Sequence, residues 1–145
     1  MSEELVASLT NGLRKAGLRL TPQRLAICRA LINNHGHPTA TELHEQLCAD
    51  FPTLSLATVY TTLNTLLALG LIHHLGDAGD GTVHFDPVTD PHVNLICTSC
   101  HQISDLADDT LETVRQHVAR RSGYQILGAR IVYYGVCPRC AARRT

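Results

Sequence analysis

Two C-x-x-C turns, Cys97-Thr98-Ser99-Cys100 and Cys137-Pro138-Arg139-Cys140, constrain this chain more than any other feature. Four thiolates at that spacing can converge on one tetrahedral Zn²⁺, which would draw together two segments with residues 101–136 between them. Four sulfur ligands leave no position open for water, so the zinc expected, one per chain, is structural. Such a metal supplies on the order of 10 kcal/mol of folding free energy to a small domain. Competing readings explain less. Cys97 to His101 also fits the C-x-x-C-H haem-attachment pattern, but that leaves the second pair without a role. A redox dithiol belongs at a helix start beside a parallel-sheet pattern, which is lacking here.

The acidic opening Met1-Ser2-Glu3-Glu4 has neither the basic start nor the apolar core of a secretory signal. No apolar run reaches membrane-spanning length. A cytoplasmic protein with reduced thiols and no membrane partner is therefore expected. Cys28 and Cys48, on apolar helix faces, read as core residues.

A chain of 145 residues holds one ordinary domain or two small ones, and the pattern changes once along it. Residues 3–16 read as a helix ended by Gly17. Thr21-Pro22 caps and opens a second. A third starts at Thr39 or Thr41 and stops at Phe51-Pro52, and Ser55 caps a fourth over 56–69. Strands follow at 71–75 and 82–86, joined by the loop 76–81, and then a proline-bounded hinge. Beyond it come strands at 92–97 and 101–106, and a helix at 109–122 with Leu111, Val114 and Val118 on one stripe, closed by Gly123. A strand at 125–134 completes the chain, with Leu127, Ala129, Ile131 and Tyr133 on one face. The expected fold is α+β: a winged helix-turn-helix domain over 1–86, a hinge at 87–91 and a small α/β domain over 92–145.

Charge is uneven along this plan. Residues 1–29 carry five basic and two acidic side chains, residues 115–145 seven basic and none acidic, and residues 30–114 eleven acidic and none basic. An acidic middle is a poor neighbour for phosphate unless cations sit there. Helices three and four, joined by a short turn, have the spacing of a helix-turn-helix. The fourth is expected to bury Leu56, Val59, Leu63, Leu66 and Leu67, and to present Thr58, Tyr60, Thr61, Thr62, Asn64 and Thr65. Hydroxyls and an amide can reach phosphates and base edges; an ordinary solvated face is the other reading. Phosphate neutralisation would fall to Arg14, Lys15, Arg19 and Arg24. The DNA-contacting set expected is Lys15, Arg19, Thr58, Tyr60, Thr61 and Asn64.

Histidines and aspartates without cysteine gather around the hinge: His37, His84, Asp86, Asp90, His92 and Asp105. His84 and Asp86 share one strand face by i, i+2 spacing, as do His92 and Asn94. Nitrogen and oxygen donors without thiolate suit Fe²⁺ or Mn²⁺, and Zn²⁺ would also bind. His73, His74 and His117 read as solvent-facing. A catalytic metal centre uses similar ligands, so a small metalloenzyme stands as an alternative, although so short a chain offers no pocket-forming scaffold. A zinc-stabilised protein-interaction module is another.

Leu18-Arg19-Leu20-Thr21-Pro22-Gln23-Arg24, His37-Pro38-Thr39-Ala40, Ser55-Leu56-Ala57-Thr58-Val59-Tyr60 and the paired C-x-x-C turns, in that order over nearly the whole chain, resemble the ferric uptake regulator family. The resemblance implies a winged-helix DNA-binding domain, a C-terminal α/β dimerisation domain, and a metal-dependent bacterial repressor. It would act as a homodimer on a palindromic double-stranded operator, with no small-molecule substrate. It also implies that Cys97, Cys100, Cys137 and Cys140 hold the structural zinc and that His37, Asp86, His92, Asn94 and Asp105 form the regulatory metal site. Asp105 resembles the peroxide-sensing (PerR-like) branch, in which peroxide oxidises His37 or His92 when Fe²⁺ is bound; other members carry glutamate there. The alternative within the family is an iron, manganese or zinc uptake regulator without peroxide chemistry. Three departures are notable. The family commonly writes H-H-x-H where this chain has Pro91-His92-Val93-Asn94, so an amide replaces an imidazole. Pro91, Val93 and Ala129 cannot supply the ligands of a further site found in several members. Thr61 stands where a basic or amide side chain is usual.

Overall fold

The computed structural model describes residues 2–34, 37–75, 79 and 81–143, which form two compact units parting between Val88 and Thr89. In the first, α1 (Ser2–Lys15), α2 (Pro22–Asn33), α3 (Ala40–Leu47) and α4 (Leu56–Ala68) precede an antiparallel pair, β1 (His73–Leu75) and β2 (His84–Asp86). This is the winged helix-turn-helix arrangement. Most of the connecting loop anticipated at 76–81 lies outside the described residues.

Helix starts are set by local chemistry. Thr21, Thr39 and Ser55 are in extended conformation, and their hydroxyls accept the N–H of Arg24, Glu42 and Thr58. Each cap contributes about 1 kcal/mol by satisfying a donor that the first turn leaves open. Leu9, Leu13, Ile27, Leu31, Leu43, Val59, Leu63, Leu66, Ile72 and Phe85 then close one apolar core. A Cβ at Gly12 would lie 2.2 Å from Leu71 Cδ1, so a larger residue there would need the Leu71 side chain to turn aside. The turn between α3 and α4 is tied by the His44 ring, whose Nε2 is 2.8 Å from the Leu54 carbonyl oxygen.

The second unit is a three-stranded sheet in the order β4 (Ile103–Leu106), β3 (Val93–Cys97), β5 (Ile131–Gly135), with α5 (Thr110–Ser122) and a short α6 (Pro138–Arg143). β3 pairs antiparallel with β4 and parallel with β5. Gly123 ends α5 in the left-handed conformation (φ 75°), its N–H bonded to the Ala119 carbonyl, as glycine at this position permits.

Four expectations are corrected. The last strand begins at Ile131, not 125, because Ile131 pairs with Val93, the first residue of β3, and residues before it have no neighbouring strand. β1 begins at His73: the Leu71 N–H is bonded to the Leu66 carbonyl and Ile72 is buried in the helical core. Cys48 is exposed at the end of α3, whereas Cys28 is fully buried and its thiol is pushed up to about 11 by desolvation. The α6 helix has no apolar period in the sequence to announce it. Among the described residues no helix is long and apolar enough to cross a membrane.

Candidate metal centres and nucleic-acid face

The sulfur site assembles from both ends of the second unit. β3 and the turn after it bring Cys97 and Cys100; the segment after β5 and the start of α6 bring Cys137 and Cys140. Their four Sγ atoms all lie within 4.8 Å of one another, and Cys100 and Cys137 are 3.9 Å apart. A tetrahedron with Zn–S bonds of about 2.3 Å has edges of about 3.8 Å, so the sulfurs stand at the spacing a zinc ion demands. The Cys137 N–H donates to Cys97 Sγ at 3.3 Å. That bond, with a second from the Cys100 backbone, lowers the Cys97 thiol to about 5. Cys100 is lowered chiefly by the Gln102 N–H. Cys140 takes the opposite shift, to about 12, because sulfurs crowd it, Cys137 first, and burial adds to the effect. Four sulfurs so close cannot all be thiolates without a cation.

The histidines and carboxylates divide between the units. In the first, His37 and Asp86 are buried, with His37 Nδ1 3.8 Å from Asp86 Oδ1. His37 adopts φ 54°, a left-handed conformation that costs a non-glycine residue about 1–2 kcal/mol. Two contacts from β2 hold it there: the Phe85 N–H donates to the Pro38 carbonyl at 2.9 Å, and His84 Nδ1 lies 2.6 Å from the His37 carbonyl. Asp86 is oriented in turn by the Val88 N–H at 2.9 Å. Sequence reasoning grouped His84 with the ligands; its Nδ1 instead supports the His37 backbone.

In the second unit, His92 Nδ1 donates to the Asp90 carbonyl at 2.8 Å. The bond fixes the tautomer that leaves Nε2 as the electron-pair donor, and Nε2 is 3.8 Å from Asp105 Oδ1. Asp90 thus serves through its main chain, and its side chain is not brought into the group. Asn94 faces Asp105 directly across the β3–β4 ladder. It is 2% exposed. Its Nδ2 donates to the Ile131 carbonyl at 3.3 Å, and its Oδ1 is buried with no hydrogen-bond partner among the described residues. An orphaned buried acceptor costs about 1–3 kcal/mol, a penalty a cation would remove. Imidazole nitrogen, carboxylate and an orphaned carbonyl fit a divalent metal such as Fe²⁺ or Mn²⁺.

On α4, Ala57, Tyr60, Thr61, Asn64 and Ala68 form an exposed stripe. Lys15 and Arg19 are exposed as well. Thr58 is half-buried, its hydroxyl 2.9 Å from that of Ser55. Two expected features differ. Thr62 is fully buried, donating its hydroxyl to the Thr58 carbonyl at 2.8 Å, which lets a polar residue enter the core with its group satisfied. Leu56 is exposed rather than buried. The half-buried Arg24 donates from its guanidinium to the Arg19 carbonyl, so it braces the α2 entry. His74 and His117 are exposed, and His73 is half-buried opposite Asp86.

Comparison with known proteins gives concordant results. The family model described as the ferric uptake regulator family matches residues 15–134. The peroxide-responsive repressor PerR of Staphylococcus epidermidis is 40% identical over 138 residues, covering 95% of this chain and 89% of that protein. The Campylobacter jejuni peroxide stress regulator superposes with a TM-score of 0.74 at 30% identity, covering 92% of this chain and 97% of that one. The Pseudomonas aeruginosa ferric uptake regulator, solved with manganese, also gives 0.74, at 26% identity, with 89% and 97% covered.

Proposed function

The chain belongs to the ferric uptake regulator family, whose members are metal-responsive transcriptional regulators and not enzymes, and on that premise we propose a cytoplasmic, homodimeric repressor. Its domains are the winged helix over 1–86, a hinge at 87–91 and the dimerisation domain over 92–145. Cys97, Cys100, Cys137 and Cys140 hold a permanent zinc. His37, Asp86, His92, Asn94 and Asp105 hold a regulatory Fe²⁺ or Mn²⁺. The observation that carries this reading is the pair of matched donor groups: buried His37 with Asp86 in one unit, and His92 with Asp105 and Asn94 in the other.

The metal offsets carboxylates that otherwise repel phosphate. Lys15 and Arg19 then contact phosphates, while Thr58, Tyr60, Thr61 and Asn64 face the major groove of a palindromic operator. Metal and DNA must strengthen each other's binding by the same factor. Dimer formation is supported by Val114, Val118, Tyr124, Leu127 and Tyr133, all exposed in the single chain, Leu127 to 98%. Uncovered apolar side chains of this kind support association.

Likeness to the S. epidermidis repressor and the C. jejuni regulator, with Asp105 in the donor set, supports peroxide sensing. When bound, Fe²⁺ supplies the redox chemistry. His37 or His92 gains one oxygen atom from hydrogen peroxide, whose other oxygen leaves as water, and the altered imidazole no longer holds the cation. The test is DNA binding by zinc-only protein, without oxygen, to the region upstream of its own gene. Added Mn²⁺ should raise affinity at several salt concentrations; no gain removes the metal-gated reading for that DNA. Mass spectrometry after Fe²⁺ and peroxide should find oxidised His37 or His92. Unmodified peptides would leave a sensor of metal availability.

A further inference from the structure

Asn94 is the one member of the regulatory donor set that is neither imidazole nor carboxylate, and the structure decides which of its atoms can be offered. Its Nδ2 points at the Ile131 carbonyl oxygen, 3.3 Å away. Turning the amide over would set two oxygens against each other with no proton between them, so the orientation is locked. Oδ1 therefore stays on the other side, buried and without a hydrogen-bond partner among the described residues. Asp105 stands at the paired register position, and His92, just before β3, has its Nε2 3.8 Å from Asp105 Oδ1. A locked, orphaned carbonyl oxygen beside an imidazole nitrogen and a carboxylate is a ligand atom for a hard cation.

We propose that Asn94 Oδ1 is a ligand of the regulatory metal and sets its selectivity towards Mn²⁺ over Fe²⁺; this rests on the metal-gated reading above. Asn94 Oδ1 then adds an oxygen beside the Asp105 carboxylate and the His92 imidazole. An imidazole at position 94 would replace that oxygen with a nitrogen without changing the charge. Imidazole suits Fe²⁺ and the later metals, whereas carbonyl and carboxylate oxygens suit Mn²⁺. The amide sacrifices more of the affinity for Fe²⁺ than of that for Mn²⁺. Ile131 is a positioning residue acting through its main-chain carbonyl, which keeps the amide from turning.

The experiment measures Mn²⁺ and Fe²⁺ affinities without oxygen, by competition with a fluorescent chelator, on protein whose cysteine site is already filled with zinc. Asn94→Leu keeps the volume and removes the carbonyl; Asn94→His supplies a ring N–H for Ile131 and a nitrogen donor. Loss of a metal contact should cost Asn94→Leu roughly tenfold or more in Mn²⁺ affinity, with zinc content and far-UV circular dichroism unchanged. Asn94→His should raise the ratio of Fe²⁺ to Mn²⁺ affinity roughly tenfold, following the donor preference. Should Asn94→Leu misfold, the Asn94→His ratio decides. Unchanged Mn²⁺ affinity in Asn94→Leu removes Asn94 from the site, and an unchanged ratio in Asn94→His removes the selectivity. Asp105→Ala tells this failure from that of the underlying reading: if it too binds Mn²⁺ normally, the regulatory site itself is wrong.

Discussion

Replacing His84 tests whether the proposed regulatory site depends on a hydrogen bond made by a residue outside it. His84 is 6% exposed and His37 3%, and the 2.6 Å contact joins His84 Nδ1 to the His37 carbonyl. In His84→Leu the ring's volume is roughly kept and the donor is lost, so a buried carbonyl is orphaned at a cost of about 1–3 kcal/mol. The left-handed φ of His37 is strained with or without the bond, so the destabilisation should match the orphaned carbonyl, about 1–3 kcal/mol. Urea unfolding of the zinc-loaded protein, with a slope of about 1–3 kcal/mol per molar, should show the midpoint fall by about 1 M. Mn²⁺ affinity should drop roughly tenfold or more, as it does when outer-shell partners are removed. His84→Asn places an N–H near the position of Nδ1 and should recover most of both losses. If His84→Leu unfolds at the wild-type midpoint and binds Mn²⁺ normally, His84 does not hold His37, and the left-handed turn is maintained by the Pro38–Phe85 bond alone.

Asp105→Ala should weaken Mn²⁺ binding and metal-dependent DNA binding roughly tenfold or more while total zinc, measured by plasma emission, stays the same; unchanged DNA affinity would refute the donor set. Zinc affinity of the cysteine site should rise with pH between 7 and 9: the Cys140 thiol, at about 12, still carries a proton that zinc must displace, whereas Cys97, at about 5, has none to give. A flat profile in chelator competition would contradict that assignment. In the native protein, a thiol alkylating agent should modify exposed Cys48 and spare buried Cys28 until denaturant is added, as peptide mass spectrometry would reveal. Leu127→Asp should shift the species seen by light scattering from dimer to monomer, since it puts charge where an apolar side chain is 98% exposed in the single chain.

Features that depend on neighbours in the chain could be read without coordinates. Thr21, Thr39 and Ser55 cap their helices through bonds three residues long, and Gly123 closes α5 because its own φ allows it. The cysteine pairs were legible for a related reason: each C-x-x-C turn sets two sulfurs locally, and zinc chemistry requires that the pairs meet. The donor types of His37, Asp86, His92, Asn94 and Asp105 were legible as chemistry, though the supporting contacts around them were not. Nothing in the sequence distinguishes a histidine that offers a ring nitrogen to a metal from one like His84, whose ring supports another residue's main chain.

Thr62 shows the same limit on α4. Its type places it among the exposed threonines, yet helical position puts it in the core, and a hydroxyl folded back onto the Thr58 carbonyl makes that burial tolerable. The alternation over 125–134 is real, but a strand exists only where another lies beside it, and β3 ends the ladder at Ile131. The helix starts, the thiolate set and the hard-donor character of the second set follow from residue type and short spacing, and so could be read along the chain. Tertiary structure alone decided which polar atoms are satisfied from within: the His92 tautomer, the strained turn at His37 and the orphaned oxygen of Asn94 arise from contacts that the order of residues does not specify.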